Sequence, residues 1–136
     1  MKAANLIVSA VVAGIFFSLF AFFWHNHLFT DVYGFSAPGF YDLGKENAMY
    51  LNIAIAILIL GMAYFLGLAM PGKGNWKRGA TLGALFSGIV IATFSFINLG
   101  LSPAWTLTVA FYDIVWALIS GAVAGAIIVS VNGWMA

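Results

Sequence analysis

Four stretches of the chain stay apolar for long enough to matter, at about residues 5–24, 48–70, 79–99 and 104–131, with short polar connections between them. A helix rises about 1.5 Å per residue, so roughly 20 apolar residues cross the hydrocarbon of a bilayer. No stretch alternates with the period of two that a half-buried strand needs. The pattern predicts an all-α membrane protein: one transmembrane domain over residues 1–136, built as a four-transmembrane-helix bundle, with an external connection over residues 25–47.

The fourth span organises the rest. After Pro103 and Trp105 it runs to Val131 with one charged residue, Asp113. An acid inside a span is expensive and marks a candidate functional residue. At helical spacing Asp113 shares a face with Thr106, Ala110, Ala117, Ser120 and Ala124. That face is small and polar, so it should point into protein. Leu107, Phe111, Val115, Leu118 and Ile119 occupy the other faces and suit lipid. Counting depth from Trp24 and Leu99, no Lys, Arg or His reaches the level of Asp113. The acid is then expected either protonated and donating to a hydroxyl, Ser18 on span 1 or Ser95 on span 3, in a structural role, or open to a water-filled cavity as the site of function.

Small residues recur every four positions: Ala10, Gly14 and Ser18 on span 1, Gly79, Gly83 and Ser87 on span 3, Gly121 and Gly125 on span 4. Such ridges let helix backbones approach closely. A bundle needs only some of them internally. The surplus suggests a homo-oligomer or contact with other membrane subunits. Polar Asn52, Ser95 and Asn98 either line a path or join helices by hydrogen bonds. Together His25, Asn52, Asn98 and Thr106 should form a polar lid at the outer edge.

The first connection holds Phe29, Tyr33, Phe35, Phe40 and Tyr41 among helix-breaking Gly34, Pro38, Gly39 and Gly44. Aromatics at this density suit the headgroup layer, and the segment is expected to fold back over the bundle. It begins with His25-Asn26-His27. An H-x-H pair binds copper or zinc when a third ligand such as Asp31 or Asp42 joins it. Positions i and i+2 diverge on a helix, so that use needs extended backbone; otherwise these are two interfacial histidines. Residues 67–73 read G-x-x-x-x-G-K, but Gly74 stands where a phosphate loop needs Ser or Thr, and no strand precedes them.

Composition narrows the classes. Of 136 residues, 64% are hydrophobic and 7% charged, against about 25% charged in soluble domains. A net charge of +1 gives no case for nucleic acid, and with no cysteine there is no thiol chemistry or Cys-ligated metal. The sequence leaves the question of a cofactor open. Lys2, Lys73, Lys77 and Arg78 fall on one side of the predicted bundle and Lys45 alone on the other. The positive-inside rule then places both termini in the cytoplasm of a bacterial inner membrane and argues against dual topology. Span 1 reads as an uncleaved span, since no small-residue cleavage site follows Phe22-Phe23-Trp24.

From Trp76 to Val131 the phrases WKRGATLGALFSG, ATFSFINL and FYDIVWALISG resemble small, uncharacterised four-helix bacterial membrane proteins known as domain-of-unknown-function families. The resemblance implies a Thr…Asn pair in the third span, here Thr93 and Asn98, and an Asp-x-x-Trp in the fourth, here Asp113 and Trp116. Ser95 stands where those families often carry an acid. The resemblance implies a fold and a location but no activity. Disulfide-forming membrane enzymes need cysteines, small multidrug exporters carry a Glu in span 1, and di-haem bundles need histidines in several spans. Three functions remain: a non-enzymatic binding or accessory component that self-associates or joins a larger complex, a small transporter or channel with Asp113 in its pathway, and a metal site or enzyme using His25 and His27.

Overall fold

The computed structural model of the chain describes residues 3–36, 45–70 and 74–136. Five α-helices are present among them: α1 (Ala3–Phe23), α2 (Thr30–Ser36), α3 (Lys45–Ala69), α4 (Trp76–Leu101) and α5 (Leu107–Met135). α1 runs directly into a π-helical turn, Trp24–Leu28. The described residues contain no strand. Four helices are long and apolar enough to cross a membrane, α1 with its π turn, α3 from Met49, α4 and α5. The protein is an all-α bundle of four membrane helices, with α2 as a short fifth piece.

Local chemistry sets the helix ends. Asn75 is extended and its side chain accepts from the Lys77 amide, which caps α4; Thr106 caps α5 by accepting from Val109. Both satisfy amides that a helix start leaves open. The amide of Ser102 reaches back to the Asn98 carbonyl and closes α4.

α5 is central and touches every other helix. Its buried positions include Ala110, Asp113, Ala117, Ser120 and Ala124, the face expected to point inward, while Leu107, Phe111, Leu118 and Ile119 are exposed. The most extensive contact is between α4 and α5, and it is made by glycines. A Cβ on Gly79 would lie 2.8 Å from the Gly125 carbonyl oxygen, and one on Gly121 2.5 Å from that of Gly83. Lipid tails are as apolar as the side chains, so burial gives little drive for helices to associate within a bilayer. Close van der Waals contact takes its place.

The ridges on spans 3 and 4 therefore pack on each other inside one chain, leaving neither spare. The ridge on span 1 is looser. A Cβ on Gly14 would meet only Ile59 Cγ2, at 3.9 Å. At the opposite end from α2, Asn5 Nδ2 donates to the Met135 carbonyl at 3.3 Å and ties α1 to the end of α5.

Candidate functional site

Asp113 sits in the second turn of α5, 5% exposed. Its Oδ1 accepts a hydrogen bond from Tyr33 Oη at 2.7 Å and lies 3.5 Å from His25 Nε2. Three elements deliver these groups: α5 the acid, the π turn the imidazole, and α2 the phenol. Trp24 Nε1 donates to Tyr33 Oη at 3.2 Å. His25 Nδ1 stands 2.7 Å from the Ala21 carbonyl oxygen. A carbonyl can only accept, so Nδ1 carries a hydrogen and Nε2 faces the acid.

Aromatic rings wall the cluster. His25 packs on Tyr33 (4.4 Å between centroids) and edge-on to Trp116 (5.2 Å), and Trp116 on Phe17 (4.9 Å). Above, Phe29 lies against Trp24 and Tyr112 and holds α2 down. Buried Trp116 Nε1 has no hydrogen-bond partner.

This corrects the partners expected for Asp113. Neither Ser18 nor Ser95 bonds it. Ser18 is half-buried and Ser95 is buried with its hydroxyl unpartnered. A histidine does reach this depth. Counting from Trp24 assumed that the first helix stops there, whereas the π turn carries it on through Leu28 and swings His25 inward. Tyr33 was not expected at all. Its signal was an aromatic connection beside a span with a lone acid, but spacing alone does not say which ring turns back. The expected polar lid does not form. Asn52 is exposed, Asn98 Nδ2 donates to Phe94 O of its own helix, and Thr106 caps α5. Of that set only His25 meets Asp113. Thr93 likewise donates within its own helix, to Ile89.

His25 and His27 point apart. The His27 ring packs against Phe22 and Phe23, because the pair lies in a helical turn and not in extended backbone. Among the described residues no three metal-ligating side chains come together. Asp42 and Lys73 lie outside the described residues.

Tyr33→Phe leaves the Trp24 N–H and one side of Asp113 unmet. The expected loss is about 1–3 kcal/mol, the range for a buried polar group left unpaired, read as a lower midpoint in denaturant unfolding in detergent. A change under about 0.5 kcal/mol would mean that the Tyr33 hydroxyl is not part of what holds α2 to α5.

No curated protein and no solved structure matches the chain. A family model described as "Predicted membrane protein (DUF2177)" matches residues 6–130, which takes in most of each of the four membrane helices and each residue of the cluster. The chain belongs to this family of multi-pass membrane proteins.

Proposed function

We propose that the protein is a non-enzymatic binding or accessory component of a bacterial inner membrane, and that its site is the cluster of Asp113, His25 and Tyr33. One observation carries this reading: a buried carboxylate within a membrane span contacts both an imidazole and a phenol drawn from separate elements. An acid needed only to fix helix register does not require a titratable partner from another span. A second reading is a small transporter or channel with Asp113 in its pathway. The burial of an acid within the span favours it, since acids in membrane helices mark ion and substrate pathways.

Asp113→Asn separates the readings. The substitution should keep the fold. Loss of a co-purifying membrane partner, with no ion or proton flux in liposomes from either form, supports the binding component. Flux in the native protein that the variant lacks supports the transporter. Unchanged partners together with no flux from either form would leave both readings without support.

With the glycine ridges of α4 and α5 closed on each other, self-association or entry into a larger complex falls to other faces. α1 and α3 both offer one, with Val11, Ile15 and Leu19 exposed along the first and Ile57, Tyr64 and Leu68 along the second. The charge bias sets the orientation: both termini cytoplasmic, α2 and the Asp113 cluster at the external end. A reporter fused at either terminus should read as cytoplasmic and one inserted near Gly39 as external. A C-terminal reporter on the outside would overturn the orientation.

A further inference from the structure

At the end of the bundle opposite the Asp113 cluster, the start of α4 and the last turns of α5 border a cleft of about 420 Å³. That volume is in the range of small-ligand sites. Val129 is buried beneath it, and Gly74 lies so close that an added Cβ would stand 2.7 Å from Val129 Cγ1. Gly133 lines the cleft too, but its part is the reverse. Nothing lies within 4 Å of a Cβ added there. No neighbouring helix requires this glycine, unlike those that join α4 to α5, and its missing side chain leaves the cleft open.

Two exposed tryptophans border the cleft, Trp76 and Trp134. Tryptophan at the end of a membrane helix marks the level of the lipid headgroups. One cation lines the cleft. Lys77 holds its Nζ 5.8 Å from the centre of the Trp76 ring, within cation–π range, and Ser130 adds a hydroxyl. No acid of these two helices answers the lysine: α4 has none, and the one acid of α5, Asp113, is at the other end of that helix. The backbone at the start of α4 is not the attraction, because the Asn75 side chain already accepts from the Lys77 amide at 2.9 Å.

We infer that this cleft binds the phosphate-bearing headgroup of an anionic phospholipid from the adjoining leaflet. The Lys77 ammonium pairs with the phosphate, and the Ser130 hydroxyl donates to it. The headgroup supplies the negative charge that the cleft lacks, and the bilayer presents it at the depth that the tryptophans mark. A soluble phosphate ester would meet the same lysine but would leave Val129 and the two indoles without an apolar partner. The inference concerns a different end of the molecule from the Asp113 cluster and does not depend on what that cluster does.

Native mass spectrometry of the full chain in a non-ionic detergent tests this by counting bound lipid, with phosphatidylglycerol and phosphatidylcholine as the probes. In phosphatidylcholine the choline cation offsets the phosphate. The native protein should therefore retain its first phosphatidylglycerol about tenfold more strongly, the worth of a hydrogen bond between charged groups. Lys77→Gln should remove the preference. Gly133→Leu should fill the cleft and abolish retention of that first lipid. Arg78→Gln is the control. Arg78 is an exposed cation of the same turn that does not line the cleft, and its loss should change the preference by less than about twofold. Equal retention of the two lipids by the native protein would overturn the inference. So would a preference that survives Lys77→Gln, or one that Arg78→Gln removes as completely. Lipid retained by a folded Gly133→Leu protein would place the site elsewhere; should that variant fail to fold, the two charge variants decide the matter alone. Glycerol 3-phosphate at millimolar concentration should not displace the lipid, and displacement would overturn the lipid in favour of a soluble phosphate ester.

Discussion

Replacing Gly125 with leucine should prevent α4 and α5 from closing on each other, so that the protein no longer runs as a single folded species in mild detergent. A Cβ at this position collides with the Gly79 carbonyl oxygen and comes within 2.9 Å of Gly83 Cα. Both obstacles are backbone atoms, so no rotamer change relieves them. Gly121→Leu meets the same fate against the Gly83 carbonyl and Ser87 Cβ, each 2.5 Å away. Even Gly125→Ala should destabilise by about 1–3 kcal/mol, the usual range for overpacking. Gly133→Ala is the control. Nothing lies within 4 Å of its added Cβ, so stability should stay within about 0.5 kcal/mol. Gly14→Ala, with Ile59 at ordinary contact distance, should also be mild. Equal tolerance at Gly125 and Gly14 would mean that the α4–α5 approach is not what the bundle depends on.

The second large effect is at Asp113. Asp113→Ala should lower stability by about 2–4 kcal/mol, read by denaturant unfolding in detergent. The loss takes the acceptor from the Tyr33 O–H, at about 1–3 kcal/mol, and takes away the acceptor opposite His25. It also removes the Tyr33–Asp113 tie between α2 and α5, while the Phe29–Tyr112 packing stays. Asp113→Asn should lose no more than about 1 kcal/mol. Its carbonyl still accepts from Tyr33 and its amide donates to His25 Nε2, a hydrogen-bond set that the neutral imidazole satisfies. If the asparagine variant unfolds as readily as the alanine one, charge and not hydrogen bonding holds the cluster.

The sequence is most informative where one physical constraint acts alone. A bilayer leaves no alternative to a helix in an apolar stretch of spanning length, so α1, α3, α4 and α5 are legible from hydropathy. The inward face of α5 is equally plain, because Ala110, Ala117 and Ala124 have no reason to face lipid beside Leu107 and Phe111. Small-residue spacing marks Gly121 and Gly125 as contact points but does not name their partner. Only the structure shows that Gly79 and Gly83 of the same chain fill that role, which leaves the looser ridge of span 1 as the surplus one. The Asp113 cluster is the least legible part. Asp113 itself stands out, but its neighbours depend on a π turn that no residue type announces and on the return path of α2. Depth counting fails at His25 because it treats a helix end as a membrane edge.

Tyr33 and Asp113 are 80 residues apart in the chain, and this separation orders the protein's biogenesis. α4 and α5 follow one another with a short connection, so they can pair as a hairpin once the last span has entered the bilayer. His25 and Tyr33 are made long before that and must wait for α5 to supply their acid. The cluster is thus completed only once α5 is in place, and a chain truncated before α5 would lack the acid that His25 and Tyr33 face. The same contact that forms the candidate site also distinguishes a finished chain from an unfinished one.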